Sequence, residues 1–339
     1  MIEIDGSYLE GGGQIVRTAI ALSAITGKDV RIFNIRKGRE KPGLRPQHLE
    51  GIKAAAGICN AVTDGLMINS LEVVFQPGKI TGGAFAIDTK TAGSVTLILQ
   101  TLVPIGLHAG SSLNLTIKGG TSVPFSPTIE YFQDITCHYL KLLGGSVYVE
   151  TRRHGFYPRG GGVVLTKIKP SQIKNLDLLD RGQLQKVDIL AVASNHLKQA
   201  RVAERMITGF HSVYPNTHTQ SLYVPADSPG CFVRSYAHFE NGKLGADVLG
   251  ERGKRAEDVG KQAARALEKE IESGASVDPW MVDQIIPYLA LATSMTGRSS
   301  NVRIPSLTKH AETNIWVVKK FLPIDFEIVH NVMRCTKIK

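Results

Sequence analysis

The sequence predicts an α/β (α+β) fold in which three repeated β-α-β-α-β-β units form a large domain that carries a smaller inserted α+β module. Two observations support this prediction. Three segments share one pattern, a small-residue loop followed by an apolar helix, a glycine turn and a strand, and they cover residues 11–35, 92–117 and 280–304. The spacing between later helices is also unequal, which indicates extra chain within the third unit.

The first helix of each unit is apolar on nearly every face, which is typical of a helix buried against a sheet on one side and a neighbouring helix on the other. A second helix follows in each unit, and each of these begins near a recognisable residue. The second helices are predicted at 49–62 near His48, at 129–143 near Pro127 and at 311–322 near His310. Strands are predicted after them at 71–75, 147–150 with 163–168, and 325–329.

The insertion is located by counting residues between these helices. His48 and Pro127 are 79 positions apart, whereas Pro127 and His310 are 183 positions apart, about 104 more. We therefore expect an inserted domain at about residues 181–275, and a large domain made of residues 1–180 plus 276–339. Within the insertion the pattern predicts strands at 187–193, 220–224, 231–239 and 243–249, with helices at 202–213 and 256–273.

The composition excludes several classes of protein. The chain has 339 residues, 42% of them hydrophobic and 21% charged, so it has enough apolar mass for a packed core and is not a disordered chain. There is no apolar run of about 18 residues and the N-terminus does not resemble a secretory signal, so we expect a cytoplasmic protein without a membrane span. Its four cysteines form no C-x-x-C motif, which favours buried reduced thiols over a zinc ribbon.

The positive charge is concentrated in one segment. The chain has 40 Lys+Arg against 30 Asp+Glu, a formal net charge of +10. Residues 28–53 contain eight Lys or Arg and three acids, and glycine and proline between 36 and 45 indicate a loop instead of a helix. Because planar guanidinium groups bind phosphate in a bidentate manner, this segment predicts a phosphate site, although a solvated loop is the simpler alternative.

A second candidate anion site lies near the N-terminus. The sequence EGGGQIVR, residues 10–17, has three glycines directly before a helix, where backbone N–H groups can approach an anion. Glu10 is a candidate metal ligand, and Arg17, one turn into the helix, is a candidate phosphate contact. A tight turn would explain the glycines equally well. The chain has no G-x-x-x-x-G-K-[ST] motif, which argues against a P-loop enzyme.

His310 is the candidate nucleophile. It stands at the predicted start of a helix, where the helix dipole disfavours the imidazolium ion and keeps the ring neutral near pH 7. A lone histidine is more often structural. However, the threefold arrangement should bring the other helix starts, and with them the glycine-rich loop and the arginines, to the same place. Another glycine-rich turn, at 153–162, indicates by itself only a hairpin.

Taken in order along the chain, these motifs resemble the RNA 3'-terminal phosphate cyclase family over essentially the whole length. The motifs that carry the resemblance are EGGGQIVR (10–17), IRKGREKPGLRPQH (35–48), HGFYPRGGGVV (154–164), DQ (283–284) and HAETNI (310–315). The resemblance implies an ATP-dependent ligase that converts an RNA 3'-phosphate into a 2',3'-cyclic phosphate. The reaction it implies passes through AMP bound covalently to His310 and then an RNA-(3')pp(5')A intermediate, and releases pyrophosphate and AMP.

The resemblance also implies roles for other residues. ATP would be bound by Gln100, Pro127, Tyr131, Trp280, Met281, Val282, Asp283 and Gln284. The nucleotide phosphates and the RNA 3'-phosphate would be bound by Gln14, Arg17, Arg36, Arg39, Gln47 and His48. Glu10 would contact a divalent metal, Mg²⁺ or Mn²⁺. Leu9 stands where the family usually has glycine.

Two other interpretations remain open at this point. A non-catalytic cyclase-like protein of RNA processing or ribosome assembly would share the fold but lack the nucleophilic histidine. An enolpyruvyl transferase would share related repeats and a basic cleft, but would need neither a covalent adenylate nor the insertion.

Overall fold

The computed structural model describes residues 1–338 and has a mixed α/β fold, in which four-stranded sheets are covered by helices. The first sheet has the strand order β1-β2-β4-β3, and two helices cover it. Its elements are β1 (Ile2–Asp5), α1 (Gly13–Thr26), β2 (Val30–Phe33), α2 (Pro46–Cys59), β3 (Val62–Asp64) and β4 (Val73–Gln76).

The second sheet has the order β5-β6-β8-β7 and repeats the pairing of the first, one parallel pair followed by two antiparallel pairs. Its elements are β5 (Gly83–Asp88), α3 (Val95–Leu107), β6 (Leu113–Gly119), α4 (Ile129–Tyr131), a π-helical segment (Phe132–Thr136), α5 (Cys137–Leu142), β7 (Ser146–Arg153) and β8 (Gly162–Lys169).

After β8 the chain forms one strand of a third sheet, which is completed only near the C-terminus, and then a separate sheet that we call the fourth sheet. The fourth sheet has the order β11-β10-β12-β13. After the short strand β9 (Asp177–Leu178) the elements are β10 (Leu184–Ser194), a 3-10 turn (Asn195–Leu197), α6 (Val202–His211), β11 (His218–Val224), β12 (Cys231–Phe239), β13 (Lys243–Leu249) and α7 (Ala256–Glu272). Helices α6 and α7 enclose a hydrophobic cluster with this sheet, separate from the main core.

The last part of the chain completes the third sheet, in the order β15-β16-β14-β9, so β9 pairs in parallel with a strand more than a hundred residues later. The elements are α8 (Pro279–Thr296), β14 (Ser300–Arg303), α9 (Lys309–Phe321), β15 (Ile324–Val329) and β16 (Val332–Lys337). No helix in the described part of the chain is long and apolar enough to span a bilayer.

Local sequence explains where the main helices begin and end. The side chains of Ser94, Asp278 and Thr308 each accept a hydrogen bond from a backbone N–H in the first turn of the helix that follows. Gly27 and Gly297 end α1 and α8 at φ of 68° and 74°, a left-handed conformation that glycine adopts without strain.

The helix predicted at 129–143 is interrupted by the π-helical segment, which is the clearest local difference from the sequence prediction. Neither proline nor glycine marks this point, so hydrophobic periodicity could not reveal the irregularity. The sequence pattern also does not locate β1, β3, β5, β9 and β16. The strand β3 is short and mostly exposed, and β9 has only two residues, so neither carries a strong apolar signal.

Candidate active site

His310 lies in the first turn of α9, and its ring is held by one side chain from α1. Gln14 Oε1 is 2.5 Å from His310 Nδ1, and Gln14 Nε2 donates to the His310 carbonyl oxygen at 2.9 Å. Because the amide oxygen can only accept, we assign the proton to Nδ1. The lone pair of the neutral ring is then on Nε2, and the side chain remains 46% exposed.

Glu10 and Arg39 lie on the Nε2 side of this ring. Arg39 Nη2 donates to Glu10 Oε1 at 2.7 Å and to the Glu10 carbonyl oxygen at 2.9 Å. Glu10 Oε1 is 3.9 Å from His310 Nε2. The predicted metal ligand is therefore beside the predicted nucleophile, and one arginine of the basic loop pairs with its carboxylate.

The surroundings of His310 keep its ring neutral. Burial lowers the pKa of His310, and the nearby cations Arg17 and Arg39 lower that pKa further, against an opposing effect of Glu10. At neutral pH the ring therefore retains an unprotonated nitrogen.

Two glycines of the loop lie beside histidine rings, and at Gly13 the contact leaves no room for a Cβ. A Cβ on Gly12 would lie 3.4 Å from Arg39 Nη2 and 3.8 Å from His310 Cε1. A Cβ on Gly13 would overlap the ring of His48, the histidine in the first turn of α2. The sequence offered a tight turn and an anion site as alternatives for this loop. The structure adds close packing of Gly13 against the His48 imidazole as a third reason for glycine at that position.

His48 and Arg36 are occupied by contacts within the fold. His48 is 5% exposed, its Nδ1 accepts from the Arg45 backbone N–H at 3.1 Å, and burial lowers its pKa well below the usual value. Arg36 donates to the carbonyl oxygens of Lys41 and Gly43 at 2.7 and 2.9 Å, so its guanidinium group folds the basic loop. Gln47 is half-buried beside His48.

A small cleft with both polar and apolar lining extends from Gln14 along α1. Arg17 Nε donates to Gln100 Oε1 at 3.0 Å. Burial lowers the pKa of Arg17 to about 10, opposed by the nearby carboxylate of Asp283. Burial likewise raises the pKa of Asp283 to about 7, and Arg17 opposes that increase. The polar residues that line the cleft include Gln14, Arg17, Gln100, Asp283, Gln284 and Asn314, and its apolar lining includes Pro104, Phe132 and Pro287.

Asn314 connects the three helices around this cleft, a role that the sequence motif alone does not reveal. Its Oδ1 accepts from Thr18 Oγ1 at 2.8 Å, and its Nδ2 donates to the Asp283 carbonyl oxygen at 2.7 Å. Because these hydrogen bonds join α1, α8 and α9, they fix the position of α9, which carries His310, relative to the cleft.

The run at the start of α8 divides into exposed and buried residues. Trp280 is 61% exposed, whereas Met281 and Val282 are fully buried in the main core, so their side chains line no open cleft. Gln284 is also buried. Its Nε2 donates to the Trp280 carbonyl oxygen at 2.8 Å, and its Oε1 accepts from Thr136 at 3.2 Å.

The segment at Pro127 and Tyr131 is joined to the start of α8 through Asp278. Tyr131 is buried, and its hydroxyl donates to Asp278 Oδ1 at 2.6 Å. The Pro127 carbonyl oxygen accepts from Thr96 at 2.9 Å. Asp278 also caps α8 by accepting from the backbone N–H groups of Trp280 and Met281 at 3.0 Å each. Sequence reasoning missed Asp278, although an aspartate directly before a proline and an apolar run is a helix-start signal.

Comparison with known proteins identifies the family. The family model for RNA 3'-terminal phosphate cyclase matches residues 8–328. Proteins named RNA 3'-terminal phosphate cyclase from Methanopyrus kandleri and Methanosarcina barkeri are 41% and 45% identical, each over 97% of this chain and over 95% and 96% of the relative.

One from Caldivirga maquilingensis is 44% identical, over 97% of this chain and 95% of its own length. A solved structure, the enolpyruvyl transferase NikO from Streptomyces tendae, aligns with 50% of this chain and 33% of its own. Its identity is 14% and its TM-score 0.27, too low to indicate a shared fold. On the match of the family model and of these relatives, this chain belongs to the RNA 3'-terminal phosphate cyclase family.

Proposed function

We propose that this protein is an RNA 3'-phosphate cyclase that uses ATP to convert an RNA 3'-phosphate into a 2',3'-cyclic phosphate. The observation that carries the proposal is the state of His310, a neutral ring whose Nδ1 is bonded to Gln14 and whose Nε2 is free beside a cationic loop. A scaffold protein would have no need for a nucleophile prepared in this way.

In the first step, His310 Nε2 attacks the α-phosphorus of ATP and pyrophosphate leaves, so that AMP is bound to the ring through a P–N bond. The ring becomes cationic as that bond forms, and the Nδ1–H bond to Gln14 Oε1 stabilises the positive charge. Gln14 also fixes the ring orientation through its second bond to the His310 backbone. One amide thus sets both the tautomer and the direction of attack.

Arg17 and Arg39 are the cations best placed to stabilise negative charge on the phosphates. Both lie close enough to His310 to lower its pKa. Arg17 lines the cleft with Gln14, and Arg39 pairs with Glu10, which lies next to Nε2, so both guanidinium groups could contact phosphate oxygens bound at Nε2. Arg36 and His48 contribute indirectly, by holding the loop and the glycine turn in shape.

A divalent ion fits this site as a partner of the triphosphate. Glu10 offers one carboxylate next to Nε2, and the described residues contain no cluster of three or more His, Cys, Asp or Glu side chains that would hold a metal without substrate. Mg²⁺ is commonly bound by one or two carboxylates together with substrate phosphates. Such an ion would supply charge neutralisation, and Glu10 would be released from Arg39 to bind it.

The adenine ring would be bound near Trp280 and Pro127. Trp280 is exposed at the start of α8, and a large aromatic surface favours stacking on a purine. Tyr131 is buried and its hydroxyl is bonded to Asp278. It would therefore support the start of α8 through Asp278 instead of touching the base. Gln100 and Asp283 line the cleft between this end and His310.

The two later steps of the reaction take place at the same site around His310. The RNA 3'-phosphate attacks the phosphorus of the His310 adenylate, which frees the imidazole and gives RNA-(3')pp(5')A. The neighbouring 2'-hydroxyl then attacks the 3'-phosphorus, the cyclic phosphate closes, and AMP leaves. No aromatic sheet surface for base reading is recognisable among residues 1–338, so we expect weak dependence on RNA sequence.

Labelled ATP tests this proposal. Incubation of the protein with ATP labelled at the α-phosphate should give an acid-labile, base-stable AMP adduct in the wild type and none in His310→Ala. His330→Ala, in an exposed turn between β15 and β16, is the matched control and should retain the adduct. Absence of the adduct in the wild type, or its survival in His310→Ala, would favour the non-catalytic scaffold instead.

We also propose that the first three sheets with their helices are repeats of one β-α-β-α-β-β unit, and that residues 181–275 form an inserted domain within a large domain of residues 1–180 and 276–339. The common strand order and the separate core of the fourth sheet support this division. We propose a cytoplasmic location, which four unpaired cysteines favour.

A further inference from the structure

The fourth sheet is bonded directly to the short helix that follows Pro127. Asp247, on β13, accepts at Oδ2 from the backbone N–H of Thr128 at 3.2 Å and also from the Thr128 hydroxyl. The same hydroxyl oxygen accepts from the Tyr131 backbone N–H at 3.1 Å and so caps α4. Asp247 therefore orients the group that starts this helix, from a position 119 residues away in the chain.

The same strand also holds the start of α8. The Gly245 backbone N–H donates to Asp278 Oδ2 at 3.0 Å, while Asp278 Oδ1 serves Tyr131 and the first turn of α8. Gly245 allows this approach, because a Cβ there would lie 2.9 Å from side-chain atoms of Ile135 and Tyr131. A single strand of the fourth sheet thus contacts both segments proposed to bind adenine.

Two more hydrogen bonds join the fourth sheet to the helices on either side of the π-helical segment. Tyr236 on β12 donates its hydroxyl to the Glu130 carbonyl oxygen at 2.6 Å, and the Tyr139 hydroxyl donates to the Lys243 carbonyl oxygen at 2.6 Å. Glu130 and Tyr139 lie on the helices that flank the π-helical segment, and Tyr236 and Lys243 lie on strands of the fourth sheet. Both tyrosines are buried, so these bonds do not compete with solvent.

The contact between the fourth sheet and the helix that follows Pro127 buries carboxylate groups, which costs free energy and so calls for a reason. Among the described residues, Asp247 Oδ1 and Glu130 Oε2 are buried without a hydrogen-bond partner. A carboxylate that only attached one part of the fold to another could be replaced by apolar packing at lower cost. A buried carboxylate that accepts from a helix start fixes the position and direction of that helix.

We infer that Asp247 and Asp278 are positioning residues for ATP, and that the fourth sheet completes the nucleotide site by holding Pro127 and Trp280 at the correct separation. This inference rests on the proposed function, because it assigns adenine to these two residues. It gives the inserted segment a role in nucleotide binding instead of a separate role in recognising RNA.

Two substitutions at one position test it. Asp247→Ala removes the acceptor for Thr128, and we expect the Kd for ATP, measured by calorimetry, and the KM for ATP each to rise about tenfold with kcat changed less than twofold. Asp247→Asn keeps an acceptor oxygen and should recover most of the affinity. Glu257→Gln is the matched control, because Glu257 pairs with Arg205 inside the fourth-sheet segment, and its ATP affinity should equal that of the wild type.

Amide hydrogen exchange in the protein without ATP separates the possible failures. In Asp247→Ala the amides of Thr128 and Tyr131 should exchange at least tenfold faster, and those of α6 and α7 should be unchanged. Unchanged exchange at Thr128 and Tyr131, or unchanged ATP affinity in Asp247→Ala, overturns the inference. An equal loss of ATP affinity in Asp247→Asn and Asp247→Ala also overturns the inference. A wild type that binds no ATP overturns the proposed function itself, whatever the exchange result.

Discussion

Replacing Gln14 with glutamate tests the contact between Gln14 and His310 Nδ1, from which the tautomer of His310 is assigned. Gln14 Oε1 faces Nδ1 at 2.5 Å, so a glutamate of the same size would put a carboxylate against the Nδ1–H. An opposite charge at this distance favours the imidazolium and raises the pKa of His310, against the lowering caused by burial, Arg17 and Arg39. The central expectation is therefore that the pKa of His310 is higher in Gln14→Glu than in the wild type.

The size of the shift follows from the exposure of the ring. Opposite charges in close contact shift a pKa by roughly 1–3 units, and a ring that is 46% exposed should give the low end of that range. One unit corresponds to about 1.4 kcal/mol and to about tenfold less neutral ring on the acidic side of the midpoint. Gln14→Glu should therefore form the adenylate about tenfold more slowly than the wild type at pH values well below the wild-type midpoint, and should approach its own plateau above pH 8.

The assay is single-turnover formation of the AMP adduct from labelled ATP, without RNA, between pH 5 and 9. Gln14→Met is the control, since it removes both hydrogen bonds without adding charge. It should lower the plateau by about tenfold without moving the midpoint to higher pH. A midpoint in Gln14→Glu equal to or below that of the wild type would refute the close contact between residue 14 and Nδ1, on which the assignment of Nε2 as the nucleophile depends.

Three further substitutions give independent expectations. Gly13→Ala should lower the free energy of unfolding in urea by about 1–3 kcal/mol, because its Cβ would overlap His48, whereas Gly38→Ala, which meets no atom within 4 Å, should change it by less than about 0.5 kcal/mol. Arg39→Gln breaks a partly exposed ion pair, so stability should fall by less than about 1 kcal/mol while turnover falls at least tenfold; parallel losses in melting temperature and turnover would contradict the phosphate role. Burial raises the pKa of Asp247 to about 7, above its unfolded value, so the folded protein binds the extra proton and stability falls as pH rises from about 4 to 7; Asp247→Asn should reduce that slope by up to about 1.4 kcal/mol per pH unit in urea titrations at several pH values.

Features encoded over short stretches of chain were predictable from the sequence. The apolar helices α1, α3 and α8 and the strands β12 and β13 follow from local periodicity and turn residues, and the excess spacing before His310 predicts the extra segment. The glycine loop and the position of His310 at a helix start are likewise local features.

Contacts between distant residues were not predictable in the same way. Gln14 bonds to His310 across 296 residues, and no pattern within either helix predicts that pairing. The partners of Asp247 and Asp278 are similarly distant, and Met281 gives no sequence signal that separates it from the exposed Trp280 beside it. Such contacts depend on how the sheets pack, which the hydrophobic pattern of one strand or helix does not determine.

The two histidines at the glycine loop differ in ways that favour one of them as the proposed nucleophile. His48 and His310 each lie in the first turn of a helix, and adjacent glycines, Gly13 and Gly12, face their rings. His48 Nδ1 accepts from a backbone N–H, so in its neutral form the hydrogen is on Nε2 and both ring nitrogens lack an available lone pair. His310 Nδ1 donates to Gln14, which leaves the Nε2 lone pair free beside Glu10. In the mechanism we propose, the direction of one hydrogen bond, more than the position of the residue in its helix, makes His310 the nucleophile.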